Sequence, residues 1–193
     1  YGESLSLPAA TNHRGKAYQV KDGAGVATSV EYDFKGNILI AHRQLAAAFG
    51  VQLDWSLPVA LESETFAQET QYDALNRPVA MITHDQSRIV PTYNEAGLLE
   101  RVVAFVRGAN SATVFVEDID YDAKGQRERI VYGDVNNNAG FTTEYDYDEF
   151  TFRVTRIQTR RTSDNALLQD LRYTYDAVGN IVDVRKVTLH FSF

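Results

Sequence analysis

The sequence predicts an all-β protein: antiparallel β-hairpin repeats forming a curved sheet or strip, with one short helical insertion. Three observations carry that prediction. A seven-residue stretch built around Tyr-Asp recurs along the chain. The segments before each copy alternate apolar and polar residues with a period of two, as half-buried strands do. The composition is rich in a β-favouring aromatic, with 11 Tyr and 10 Phe against a single Met and a single Trp. The 193 residues are 44% hydrophobic and 23% charged, enough for one domain with a sizeable core, so 1–193 reads as a single repeat domain.

The copies in chain order are EYDFKGN (31–37), QYDALNR (71–77), TYNEAGL (92–98), DYDAKGQ (120–126), DYDEFTF (146–152) and TYDAVGN (174–180). QVKDGAG (19–25) is a weaker relative. The acid suits the first position of a tight turn, because a short carboxylate bonds amides two or more residues on. The glycine three residues later supplies a left-handed conformation at no steric cost. Tyr32, Asp33 and Gly36 thus mark one turn. Tyr93, Asn94 and Gly97 mark another, with Asn in place of Asp. Tyr121, Asp122 and Gly125 mark a third, and Tyr175, Asp176 and Gly179 the last. Tyr72 with Asp73 relies on Asn76 for the left-handed residue. Tyr147 with Asp148 lacks the glycine altogether.

The flanks read as strands. Leu171, Tyr173 and Tyr175 face one way, with Asp170, Arg172 and Thr174 opposite. Thr143, Tyr145 and Tyr147 oppose Thr142, Glu144 and Asp146. Phe115, Ile119 and Tyr121 oppose Val116, Asp118 and Asp120. Val26, Thr28, Val30 and Tyr32 oppose Ala27, Ser29 and Glu31. A slip of one residue would exchange the faces, so this pattern specifies register. Return strands carry Val79, Met81, Val103, Phe105, Ile130, Tyr132, Val182 and Val184. The 40-residue gap between Tyr32 and Tyr72 holds an insertion at 43–64, irregular or helical. Its start, RQLAAAFG (43–50), is dense in helix formers and ends in Gly, which predicts a short helix. Trp55 is expected to cover an edge or face. VNNNAG (135–140) is predicted as a loop.

These motifs resemble the RHS/YD-repeat family, whose repeat centres on Tyr-Asp-x-x-Gly followed by Asn or Arg. VEYDFKGN, QYDALNRP, DYDAKGQR and TYDAVGNI carry the resemblance, which spans nearly the whole chain. The segments PTYNEAGLLERV, DIDYDAKGQRERIVYG and LLQDLRYTYDAVGNI are similar to the RHS part of bacterial insecticidal toxin complexes. The resemblance implies a β-strip wound into a hollow shell that holds a toxic C-terminal polypeptide until delivery. The implied role is structural and non-catalytic, in a secreted or extracellular toxin. The implied partners are adjoining RHS repeats, toxin-complex components and the C-terminal cargo. The closing region with its self-cleaving aspartates, a cargo domain and a propeller-bearing portion are not recognisable here. About 12 to 14 strands spaced ~4.8 Å apart give a strip of ~60 Å, and a ring of that circumference is only ~20 Å across. A compact 100-residue cargo, with a radius of gyration of ~13 Å, would not fit inside it. The chain is therefore expected to be a wall section or a small closed unit, not a complete container, and a piece of something longer.

Other chemistry is weakly indicated. Asp118 and Asp120 could stand as a carboxylate pair, but strand and turn positions explain them. DIDYDAKGQRER departs from a calcium loop at Ala123 and Arg129. His13, His42, His84 and His190 show no ligand spacing and read as surface or loop residues. No catalytic residue, metal ligand or cofactor is assigned. RVTRIQTRR (153–161) is expected to pair with the chain's own acids, such as Glu144 and Asp146. A net charge of −7 argues against nucleic acid. No apolar run is long enough to span a membrane, and YGESLSLPAA is no signal peptide. The alternative is a cell-surface module binding carbohydrate or protein through exposed aromatic residues.

Overall fold

A computed structural model describes residues 1–134 and 139–187. Among the described residues, thirteen strands lie in one antiparallel sheet in chain order, with no crossover. They are β1 (Gln19–Asp22), β2 (Gly25–Tyr32), β3 (Ile38–Leu45), β4 (Phe66–Tyr72), β5 (Pro78–Ile82), β6 (Arg88–Tyr93) and β7 (Leu99–Phe105). There follow β8 (Thr113–Tyr121), β9 (Arg127–Asp134), β10 (Ala139–Tyr147), β11 (Val154–Arg161), β12 (Leu167–Tyr175) and β13 (Ile181–Lys186). Chain-order pairing is what local hairpin signals produce, since each strand finds its neighbour across a short turn.

The chain divides into two compact units. One comprises Tyr1–Val90 with Val106–Ala109, the other Pro91–Phe105 with Asn110–Phe193. In the first, Val26, Tyr32, Ala46 and Ala80 are buried, together with His13. In the second the buried apolar residues are Ala104, Ile119, Ile130 and Val131.

The predicted helix at 43–50 does not form. Arg43, Gln44 and Leu45 finish β3, with Gln44 opposite Val26 and Leu45 opposite Gly25. Helix propensity is a preference of tenths of a kcal/mol per residue, and a paired strand edge outweighs it. The rest of the insertion is irregular, tied by an Ala46–Leu61 bridge. Trp55 donates from Nε1 to the Asp22 carbonyl at 2.9 Å, and so covers the first hairpin turn. Short 3-10 turns occur at Gly2–Ser4 and Val106–Gly108. Of the predicted 135–140 loop, Ala139 and Gly140 belong to β10, and 135–138 lie outside the described residues.

Several registers depart from simple alternation. Val116 lies opposite Tyr132 and Asp118 opposite Val131, so one extra residue sits between them. That bulge puts Val116, not Phe115, on the Ile119 face, and Phe115 is left 50% exposed. A second shift recurs just before the motif tyrosine: Tyr32 faces Ile38 while Glu31 faces Ile40. Tyr121 and Asp120 face Arg127 and Arg129, and Tyr175 and Thr174 face Ile181 and Asp183. The residue skipped on the last return strand is Val182. It therefore does not share a simple alternation with Val184.

Candidate functional site: the repeated tyrosine–aspartate turn

Each motif folds into one closed loop. In the last copy, Asp176 N donates to the Asn180 carbonyl at 3.0 Å, and Gly179 N to the Asp176 carbonyl at 3.2 Å. The Asp176 Oδ1 accepts the amides of Val178 (3.0 Å), Gly179 (2.7 Å) and Asn180 (2.8 Å), while Oδ2 accepts Asn180 Nδ2 at 2.9 Å. Asp33 repeats this arrangement with Lys35, Gly36 and Asn37. Asp73 holds Leu75 N and Arg77 N, and Arg77 Nε reaches its Oδ2 at 2.7 Å. Asp122 holds Lys124 N and Gln126 N. Asn94 has only one accepting oxygen, and it takes Leu98 N at 2.9 Å. At Asn37, Arg77 and Asn180 the closing side chain fills the second carboxylate oxygen, which explains the Asn or Arg of the motif. The weaker relative at 19–25 is a shorter version, with Asp22 Oδ1 accepting Ala24 N and Gly25 N.

The left-handed position is occupied by Gly36, Asn76, Gly97, Gly125 and Gly179, all at positive φ. Gly179, at φ +101°, lies under the Arg153 guanidinium, 2.5 Å from where a Cβ would stand. The fifth loop has no glycine and is one residue longer: Asp148 N donates to the Arg153 carbonyl, and Phe152 takes φ +58°.

These bonds favour the charged form of Asp33, Asp73, Asp148 and Asp176. The Asn180 side chain and amide lower the Asp176 pKa, and the Thr151 amide and hydroxyl lower that of Asp148. The Arg77 amide lowers Asp73. For Asp33 partial burial pushes upward, but the bonds from Asn37, Gly36 and Lys35 prevail and the net shift is down.

The tyrosines are clasps between successive hairpins as well as packing groups. Tyr121 Oη donates to the Leu99 carbonyl at 2.6 Å, Tyr147 Oη to Arg127 O at 2.8 Å, and Tyr175 Oη to Val154 O at 2.8 Å. In each case the acceptor is the first residue after the preceding loop. Loop-closing side chains reach the other way, into the following loop. Asn37 Nδ2 bonds Asn76 Oδ1, Gln126 Nε2 bonds Phe152 O, and Arg153 Nη1 bonds Asp176 O. Tyr32 has no preceding loop. Its hydroxyl uses the Ala17 carbonyl instead, and the N-terminal segment seats His13 beside it. Tyr72 belongs to the second loop, and Tyr93 opens the third.

Several residues were placed differently by sequence. His13 is fully buried, not superficial, between Thr11 Oγ1 and Ser29 O, each at 2.7 Å from a ring nitrogen. His84 lies 3.2 Å from Glu64, His42 lies in β3, and His190 lies outside the described residues. Within the arginine-rich stretch Arg161 pairs with Asp164 at 3.1 Å, and Arg156 pairs chiefly with Asp170. That carboxylate is 3% exposed and takes Arg156 Nε at 2.8 Å, Arg156 Nη2 at 2.5 Å and Gln158 Nε2 at 3.1 Å. Arg156 foremost holds the Asp170 pKa down. Asp146 is a distant second partner at 3.9 Å. The signal for Asp170 was a lone acid in a strand across from a run of arginines. Asp118 and Asp120 both approach Arg129, at 4.0 and 3.2 Å. Among the described residues, no cluster of His, Asp and Glu could hold a metal ion, and no helix is long and apolar enough to cross a membrane.

A chain-order sheet of hairpins, with motif turns headed by an aspartate or asparagine and three of them clasped to the preceding hairpin by a tyrosine hydroxyl, defines a hairpin-repeat β-protein. The chain resembles the RHS-repeat region of bacterial insecticidal toxin complex proteins in motif, sequence and fold. It is 27% identical over 188 residues to the toxin subunit YenC2 of Yersinia entomophaga, covering 90% of this chain and 19% of that protein. It is 32% identical over 96 residues to YenC1 of the same organism, covering 48% of this chain and 9% of that protein. The crystal structure of TcdB2-TccC3 matches with a TM-score of 0.77 at 27% identity, over 91% of this chain and 8% of that one. A structure of the Photorhabdus luminescens Tc holotoxin pore matches equally well. The chain thus spans at most about a fifth of the relatives' length. No family model matches it.

Proposed function

We propose that this chain is a structural, non-catalytic wall section of an RHS-type toxin shell, secreted as part of a larger toxin complex and helping to enclose a toxic C-terminal polypeptide. The recurring Tyr-to-carbonyl clasp is the observation that carries it: its chemistry joins hairpin to hairpin and leaves the motif residues engaged with one another. The similarity to toxin-complex subunits and structures supports this reading. On it, the motif residues Tyr32, Asp33, Gly36, Tyr72, Asp73, Tyr93, Asn94, Gly97, Tyr121, Asp122, Gly125, Tyr147, Asp148, Tyr175, Asp176 and Gly179 are structural. The test is limited proteolysis of the assembled toxin complex that carries this chain. Protection of the C-terminal polypeptide should fall when Asp122, Asp148 and Asp176 are replaced together by Ala. Equal digestion with intact and broken turns would refute enclosure.

One observation favours a second reading, carbohydrate binding. Tyr132 and Phe141 stack with centroids 4.7 Å apart, and Phe141 is 39% exposed. A glycan array decides between them: binding that Phe141→Ala abolishes would support the module, and silence would leave the wall.

A further inference from the structure

A polar cleft opens in the second unit, at the strand ends opposite the motif turns. Its volume is about 230 Å³, and Arg129, Thr142, Glu144, Arg160, Arg161 and Thr162 line it. The register brings these residues together. Glu144 faces Arg129 on one side and Gln158 on the other, and Thr142 faces Arg160. Residues level on neighbouring strands share a side of the sheet, so all of these point the same way. Two residues beyond Thr142, Gly140 faces Gly133, a pair with no side chains to fill the space. Thr162 is fixed beside them by its amide, which donates to the Gly140 carbonyl at 3.1 Å.

The three guanidiniums are not equivalent. Arg129 has Asp120 at 3.2 Å and Arg161 has Asp164 at 3.1 Å. Arg160 has no carboxylate partner among the described residues. Neutral acceptors hold it instead: Nε donates to Gln158 Oε1 at 3.1 Å and Nη1 to the Asn165 carbonyl at 3.2 Å. Gln158 is pinned in turn, 8% exposed, with Nε2 donating to the buried Asp170 carboxylate at 3.1 Å. That bond decides which end of the amide meets Arg160. The Arg160 charge is therefore held in place and unneutralised, with Nη2 uncommitted. Thr162 supplies a second unmet group, because its Oγ1 is buried without a hydrogen-bond partner. Leaving such a hydroxyl unpaired is unfavourable, and a ligand that pairs it recovers the loss.

Arginines and hydroxyls together suit an oxyanion. Glu144 narrows the choice. A carboxylate is an acceptor only, so it repels an anion that brings it no proton. Phosphate at neutral pH keeps a P–OH, whereas sulfate has none. We infer that this cleft binds a proton-bearing phosphate group, with Arg160 and Arg161 on its charged oxygens, Thr162 Oγ1 donating to one of them and Glu144 accepting from the P–OH. The site stands whether or not the chain is a wall section, since it uses none of the motif residues.

The test is a titration of the isotopically labelled full chain with sodium phosphate or sodium sulfate at neutral pH and equal ionic strength. The NMR signals of the Arg160 Nε–H and the Thr162 amide report binding. Both should shift and saturate with phosphate, and sulfate should bind at least tenfold more weakly. Thr162→Val should weaken phosphate binding about fivefold, the loss of one net hydrogen bond. It should not lower the urea midpoint, because the hydroxyl makes no bond in the free protein. Glu144→Gln, which can donate, should bring sulfate to within about threefold of phosphate, a change of one hydrogen bond's sign. A phosphate monoester forms the third arm: binding at least as tight as that of free phosphate assigns the site to phosphorylated molecules, and weaker binding assigns it to the free ion. Equal binding of phosphate and sulfate by the parent chain, shifts that never saturate, or a Thr162→Val variant with unchanged affinity would overturn the inference.

Discussion

The fifth and sixth loops solve one problem in two ways. Both begin at an aspartate whose Oδ1 gathers amides, and both close with the aspartate amide on the last residue's carbonyl. The sixth loop does this in five residues with Gly179 at φ +101°. The fifth takes six, and Phe152 adopts φ +58°. An extra Thr151 hydroxyl bond to Asp148 replaces the Asn180 side-chain bond to Asp176. The aspartate cap is therefore the constant of the motif. A residue that tolerates positive φ in the fourth position, Gly179 here and Asn76 in the second loop, is what goes with the five-residue loop.

The strongest way to break that comparison is Gly179→Val. It combines a β-branched side chain at positive φ with a clash against Arg153, and should cost about 2–3 kcal/mol in urea unfolding. Thr151→Val in the fifth loop has no such backbone constraint and should be milder. Equal losses would mean that the positive φ is not what Gly179 supplies. Next in size is Tyr175→Phe, which removes a half-buried hydroxyl bond and should cost about 1 kcal/mol. Tyr147→Phe should cost less, because its bond is exposed. Phe152→Gly should stabilise the fifth loop by about 0.5–1 kcal/mol by relieving a left-handed aromatic residue, visible as a higher unfolding midpoint.

The smallest effect is on pH dependence. Asp148 and Asp176 both have depressed pKa values in the folded state. Their contribution is thus present above the ordinary aspartate value of about 3.9 and is lost as pH falls through the depressed ones. Asp176→Asn should flatten the acid side of the stability profile and leave its neutral side level. A profile that steepened instead would contradict the cap geometry.

Much of the fold was legible because its chemistry is local. Asp33, Asp122 and Asp176 act on amides two to four residues away, so spacing alone revealed the loops, and Asn76 stands in for glycine as its side chain allows. The bulge at Val116 was not legible, since one extra residue is visible only when a partner strand supplies the count. Nor was the strand at Arg43–Leu45, where pairing with β2 overrides helix propensity. The fates of His13 and Asp170 depend on residues 16 and 14 positions away.

By itself the sequence determined the all-β class, the six motif turns and their order, and the aspartate or asparagine at the head of each. These follow from bonds that close within one loop. Only the tertiary structure decided the register shifts, the burial of Asp170 beneath Arg156, and the destination of each tyrosine hydroxyl. Those depend on groups brought together by strand pairing. The Tyr175 acceptor, Val154 O, is 21 residues away in sequence and becomes a neighbour only when β12 lies beside β11.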